Sequence, residues 1–307
     1  MSSAASLNST IVLKTALGAA LRTAFTIASR LLPGVAVRSA ARLMTTPVRA
    51  RRARASAMAT TASMREFAAG EHTLKIYTWG DPGLQPYVLM VHGWSSYGLR
   101  FEPWVQGLRE AGYAVVSFDQ QAHGLSSGKR ATAPDFARNL LAVGTHFGSA
   151  AGIVAHSLGG AATIRALGRG LDARRVVMIA PAGDMVAVTH RFARLVGLAE
   201  HLCGRLIRLF ETRSAVTFDE QHAHHSVRPI ARPLLVIHDL VDNEVPWEEG
   251  ERYVRHASDA RLLSTSGLGH HRIVNDAKVI DASLRFLRGE TIGDRVVSSP
   301  NLPYGVF

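Results

Sequence analysis

From Gly70 onward, short runs of aliphatic and β-branched residues alternate with longer stretches whose apolar side chains recur every three or four positions. The runs at 88–91, 114–118, 153–155, 176–179 and 234–237 are apolar along their length, the pattern of strands buried on both faces. Residues 73–79 alternate apolar and polar side chains, which suits an early, partly exposed strand. Helical spacing occupies 101–110, 133–147, 160–167 and 247–257, and 276–288 reads as a final helix. Strands alternating with helices in this way predict an α/β chain with a mostly parallel sheet.

The interval between 179 and 234 is too long for one crossover helix and predicts an inserted cap at about 182–230. Within it Phe192, Leu195, Ala199, Leu202, Leu206 and Leu209 recur at intervals of three and four, the mark of one apolar helix stripe. Arg191, Arg194, His201, Arg205 and Arg208 follow one position earlier. This basic flank reads first as the solvated side of a cap helix, with an anionic substrate or a membrane as the alternative contact. Gly197 and Gly204 interrupt the stripe and mark close packing or a bend.

With 307 residues and 47% hydrophobic composition the chain can bury one large core. The expected division is a helical or partly disordered arm at 1–65, a domain at 70–290 and a tail at 291–307. The net charge of +11 is unevenly spread: up to Arg65 there are ten Lys and Arg and no acidic residue. The remainder is nearly neutral, so a nucleic-acid partner for the domain is not expected, since phosphate neutralisation needs a clustered basic surface. The arm is expected to pack on the domain or to rest on a membrane surface, with Arg49, Arg51, Arg52 and Arg54 as a basic linker. Its acid-free, Ala-, Ser- and Arg-rich composition leaves an organelle-targeting segment as the alternative to a cytoplasmic location. Lys14, Arg22, Arg30 and Arg38 recur every eight residues, so no window reaches the ~18 apolar residues of a spanning helix. On a helix that spacing drifts about 80° per step, which spirals the charges instead of lining them up. The single cysteine, Cys203, permits no intrachain disulfide.

The chemistry concentrates at loops that follow the strands. After the run 153–155 come His156, Ser157, Leu158, Gly159 and Gly160, with small residues, Ala155 and Gly159, two before and two after the serine. That is the requirement of a nucleophile elbow, where a serine stands on a sharp strand-to-helix turn. A serine hydroxyl needs a histidine base and a carboxylate to orient that base. Asp242 lies at the apex of the loop after 234–237, and His270 lies in the Gly267–His271 stretch after 262–266. Asp239 and Glu244 are rivals for the acid and His271 for the base, whereas His156 reads as an elbow spacer. A developing oxyanion needs two amides, for which Leu158 and Trp94, in the sequence His92-Gly93-Trp94, are the candidates. His222, His224 and His225 lack carboxylate or cysteine partners at ligand spacing, so no metal is expected.

Together these stretches resemble the α/β-hydrolase family of esterase- and lipase-like enzymes over roughly residues 70–290. His92-Gly93-Trp94 resembles the family's oxyanion motif, the segment from Asp119 to Ser126 its Asp-x-x-x-His-Gly-x-Ser element, and Ser157, Asp242 and His270 fall on its triad. Ala155 stands where glycine is commoner, and Asp239 where glycine often begins the acid loop. The resemblance implies a doubly wound sheet, a helical cap after the sixth strand and no cofactor. The activity it implies is hydrolysis of a small carboxylic ester or acyl substrate through an acyl-enzyme. Amidase, thioesterase, lactonase and cofactor-free peroxidase chemistry use the same triad, and a non-catalytic or membrane-associated binding protein on this fold is the alternative of another class.

Overall fold

The computed structural model describes residues 2–48 and 51–296; residues 297–307 of the expected tail and Arg49 of the expected linker lie outside the described residues. The strands are β1 (Ser63–Ala69), β2 (His72–Trp79), β3 (Tyr87–Val91), β4 (Ala114–Phe118), β5 (Gly152–His156), β6 (Val176–Ile179), β7 (Leu234–Asp239) and β8 (Ala260–Thr265). The helices are α1 (Ser2–Leu31), α2 (Pro33–Met44), α3 (Arg51–Ala59), α4 (Glu102–Glu110), α5 (Ala133–Phe147), α6 (Leu158–Leu167), α7 (Met185–Val196) and α8 (Cys203–Ser214). They continue with α9 (Phe218–Gln221), α10 (Ala223–Ser226), α11 (Trp247–His256), α12 (Gly269–Arg272) and α13 (Ala277–Leu287). Among the described residues no helix is long and apolar enough to cross a membrane.

The strands form one sheet in the order β1-β2-β4-β3-β5-β6-β7-β8. β2 runs antiparallel to β1 and β4, and all remaining pairs are parallel. The mostly parallel sheet is the one expected from the alternation of runs, and the whole is the α/β-hydrolase fold that the resemblance implies. The apolar runs are continuous because successive residues serve opposite faces of a sheet covered on both sides. Leu89, Val116, Ile153, Met178 and Val236 enter one core cluster. Their chain neighbours Val88, Val115, Val154, Val177 and Leu235 enter the other.

The sheet begins earlier than expected. β1 begins inside the segment read as arm, at Ser63, and ends ahead of Gly70, pairing with β2 from Ser63↔Thr78 to Ala69↔His72. As an edge strand it keeps Ser63 to Glu66 exposed, so it carries no apolar run that a sequence pattern would register.

By contacts the chain divides into two compact units, one from the chain up to Thr46 with Met185–Phe218, the other from Pro47–Asp184 and the chain from Asp219 onward. The second holds the sheet. In the first, Phe25, Ala36, Val37, Ala40 and Ala41 pack with Ala193, Val196, Leu198, Leu202, Cys203 and Leu206. The single cap helix expected from the stripe is two helices. α7 ends at Gly197, which takes φ +82, and a Cβ there would lie 2.6 Å from the Arg22 carbonyl oxygen. The break rotates the buried set, so Ala193 and Val196 turn inward while Leu195 is 70% exposed.

The two cap glycines therefore differ. Gly204 lies in α8, where an added Cβ meets only the Arg208 guanidinium at 3.5 Å. Gly197→Ala should lower thermal stability by about 1 kcal/mol or more, whereas Gly204→Ala should be neutral or stabilising by up to about 1 kcal/mol. Thermal denaturation of both variants measures the contrast, and equal shifts would contradict it.

Candidate active site

At the end of β5 the chain turns through Ser157 with φ +54 and ψ −122 and enters α6 at Leu158. A non-glycine residue with positive φ is strained and persists only where its surroundings hold it. The Ser157 amide donates to the Ile179 carbonyl at 2.9 Å. Close approach does the rest: a Cβ on Gly159 would lie 2.6 Å from the Val91 carbonyl oxygen and 2.7 Å from that of His92. Gly93 faces the turn from the other side, where a Cβ would lie 2.9 Å from that of Ser157. Ala155, in the position where glycine is commoner, is fully buried in the strand core.

Three of the candidate residues are brought into one chain of hydrogen bonds. Ser157 Oγ is 3.0 Å from His270 Nε2, and His270 Nδ1 is 2.7 Å from Asp242 Oδ2. The carboxylate partner defines the tautomer, with Nδ1–H donating to Asp242 and Nε2 free to accept from the hydroxyl. Asp242 Oδ1 accepts from the Glu244 amide at 2.8 Å and the Val245 amide at 2.9 Å. Burial alone would raise this carboxyl, but hydrogen bonds from His238, His270 and Val245 outweigh it and hold it far below the ordinary carboxylate range. Asp242 therefore stays charged throughout the working pH range.

The rivals occupy other places. Asp239 Oδ2 accepts from Thr265 Oγ1 at 2.7 Å and from the Leu268 amide at 3.0 Å, tying the turn before His270 to the end of β7. Glu244 and His271 form an exposed pair with each other at 2.8 Å. His156 does more than space the elbow: its Nε2–H donates to the His270 carbonyl at 2.9 Å. Its ring centroid stands 4.7 Å from that of His270. Burial, then the neighbouring His270 and Arg100, lower its pKa well below the ordinary value, so it remains neutral. Arg100 Nη2 donates to the next carbonyl, that of His271, at 2.7 Å. Sequence spacing carries no signal for either of these contacts, because each joins a side chain to a distant backbone atom.

Leu158 opens α6, so its amide has no acceptor within the helix. Trp94 follows Gly93, and its side chain packs with that of Leu158 on Ala122, Ala131, Phe136, Ala137 and Ala162. His92 Nδ1–H donates to the Gly93 carbonyl at 2.7 Å, and Nε2 accepts from the Gln120 amide at 2.9 Å. Asp119 accepts from Tyr77 Oη at 2.8 Å and from the amides of Gly98 and Leu125 at 2.7 Å each. The segment 119–126 thus braces the loops beside the elbow from below the sheet edge.

Among the described residues two groups offer ligand atoms within 4.8 Å of one another: His190, Glu200 and Cys203, and Asp219, His224 and His225. The second corrects the expectation that these histidines lack a carboxylate neighbour, since Asp219 lies 3.4 Å from His225. The turn that joins α9 to α10, closed by the His222 amide donating to the Asp219 carbonyl at 3.0 Å, brings them together and has no fixed spacing signature.

With this geometry in hand, the chain is found to match a family model described as serine aminopeptidase, S33, over residues 84–226. An uncharacterized abhydrolase domain-containing protein of Dictyostelium discoideum is 36% identical over 72 residues, which are 23% of this chain and only 8% of that protein. Among solved structures, an esterase from Pyrococcus furiosus is 22% identical, with 79% of this chain and 98% of that one covered at a TM-score of 0.59. Mouse alpha/beta hydrolase domain-containing protein 10 is 19% identical, with 74% and 97% covered at a TM-score of 0.59. An esterase from Rhodococcus is 17% identical, with 74% and 99% covered at a TM-score of 0.57.

Burial lowers the pKa of His92 to about 4. The unfolded chain would bind that proton near pH 6.5, so the unfolded state takes up more protons as pH falls. The His92 contribution is then complete above pH 6.5 and is lost toward pH 4, by roughly 3 kcal/mol in all. Urea unfolding between pH 7 and 5 should show a shallower pH dependence in His92→Asn than in wild type; equal slopes would exclude His92 as a source.

Proposed function

We propose that this chain, a member of the α/β-hydrolase family, is a cofactor-independent serine hydrolase that cleaves a carboxylic ester. The observation that carries the reading is the continuous chain from Ser157 Oγ through His270 to Asp242, at 3.0 and 2.7 Å. His270 Nε2 takes the hydroxyl proton as Ser157 Oγ attacks the ester carbonyl. Asp242, charged and held by two amides, supports the imidazolium that forms. The amides of Leu158 and Trp94 donate hydrogen bonds to the oxyanion of the tetrahedral intermediate. Collapse expels the alcohol, which receives the proton from His270, and water then releases the acyl group by the same steps in reverse.

The esterases among the structural neighbours favour an ester over other acyl substrates. Amide hydrolysis is the second reading, favoured by the description of the matching family model as a serine aminopeptidase. The two differ in leaving group, so matched ester and amide substrates with the same acyl part separate them.

Wild type should react with a fluorophosphonate probe and Ser157→Ala should not, with kcat toward p-nitrophenyl esters reduced by about 10^6-fold. Asp242→Asn should reduce kcat on the order of 10^4-fold, through the wrong imidazole tautomer. A folded wild-type protein that neither labels nor hydrolyses any ester or amide would overturn the reading.

His156 acts here as a positioning residue, since it holds the backbone of His270 while its chain neighbour Ser157 meets the ring. His156→Phe keeps a ring in the core but removes the donor, and kcat should fall roughly 10- to 100-fold with KM little changed. Steady-state kinetics with an unchanged kcat would show that the contact does not set the catalytic geometry.

A further inference from the structure

The unit built from the chain up to Thr46 and Met185–Phe218 has an apolar interior of its own and also a second apolar face. On α1, Phe25 and Ser29 are buried, within the packing that joins α1 and α2 to α7 and α8. Leu17, Leu21, Ala24 and Leu31 recur at intervals of four, three and seven and occupy a different arc, about 80° wide on a helix of 3.6 residues per turn. Leu17 is 71% and Leu31 73% exposed, Leu21 and Ala24 are also exposed, and Ile27 widens the arc. Beyond the kink at Pro33 the exposure continues with Leu32, Val35 and Leu43. Of the fourteen exposed large hydrophobic side chains among the described residues, eight belong to this unit, the eighth being Leu195 on α7. Apolar surface gathered in this way marks an interaction site.

Charge identifies the partner. The two chain segments of this unit contain ten Lys and Arg against two Glu, a net of +8 out of the +11 of the whole chain. The acid-free arm and the basic flank of the cap, far apart in sequence, are thus halves of one basic body. Arg22, Arg30, Arg38 and Arg42 on α1 and α2, and Arg194, Arg205 and Arg208 on α7 and α8, are all exposed. A second copy of the chain would bring like charge to the same face. A nucleic acid would satisfy the charge and leave the leucines in water. An anionic bilayer surface meets both demands, since its acyl boundary takes apolar side chains and its headgroups attract the cationic unit.

We propose that this unit is a peripheral membrane-binding element that lays the exposed face of α1 and α2 on an anionic lipid surface. No helix among the described residues is long and apolar enough to cross the bilayer, so the contact lies in the plane of the interface. The proposal is independent of which bond the active site cleaves.

The test uses the full chain and extruded vesicles of phosphatidylcholine, alone or mixed with phosphatidylglycerol at roughly 2:1. Wild type should co-sediment with the mixed vesicles about tenfold or more better than with phosphatidylcholine alone, and added salt should weaken the binding. The triple variant Leu17→Ser, Leu21→Ser, Leu31→Ser should lose about tenfold or more of that partition. Hydrolysis of a soluble ester and the melting temperature report whether it remains folded. Leu31→Trp supplies a second readout, with fluorescence quenched by brominated lipid beyond that of wild type. Failure to bind the mixed vesicles overturns the proposal. So does a serine variant that binds like wild type, or a tryptophan that is not quenched. A wild-type dimer that the serine variant converts to monomer also overturns it, because the face then belongs to a second copy.

Discussion

The backbone at the start of α6 lies so near the end of β3 that a methyl group on Gly159 would sit 2.6 Å from one carbonyl oxygen and 2.7 Å from the next. The rest of the site depends on this approach. A helix that begins this close to a neighbouring strand leaves no room for a gradual turn, so Ser157 must absorb the change of direction at φ +54. The strain is held by the sheet on one side and by the packed helix on the other. The same crowding keeps Gly93 without a side chain and brings the loop after β3 against Ser157. Sheet, helix and the loop after β3 therefore meet at a point where glycine stands at both Gly93 and Gly159.

The histidine loop is held in a different way, by polar contacts to its backbone. Asp239 fastens the Leu268 amide, His156 the carbonyl of His270 and Arg100 that of His271. Three elements far apart in the chain thus fix a short turn that has little apolar surface of its own. The acidic residues after β7 divide the labour: Asp239 holds the loop, Asp242 faces the imidazole and Glu244 remains at the surface with His271. Because His156 and Ser157 are adjacent, the elbow grips His270 by its main chain and by its ring at once. A shift of the loop would have to break both contacts together.

The helical unit obeys another logic. α1 is apolar around much of its circumference because it has two apolar surfaces to satisfy, one against α7 and α8 and one facing outward. This also explains why its sequence lacks the clean division into wet and dry faces of an ordinary surface helix. The basic residues spiral around it, yet the unit as a whole is strongly cationic because α7 and α8 contribute as many arginines as the chain up to Thr46 contributes basic residues.

The strand runs, their burial on both faces and most helix bounds were determined by local pattern, since alternation and period are properties of neighbouring residues. The elbow was legible for the same reason: small residues two positions either side of a serine state a steric demand that sequence alone can express. β1 escaped because an exposed edge strand needs no apolar run, and the cap stripe was misread as one helix because periodicity does not register a glycine with positive φ. Strand geometry favoured Asp242 at the loop apex, but only tertiary structure could show that it, and not Asp239 or Glu244, meets His270, because a short loop carries no period. It alone gave His156 a partner, through a hydrogen bond between positions 114 residues apart. And it alone joined the arm to the cap, since the charge of a surface is a sum over segments that only folding brings together.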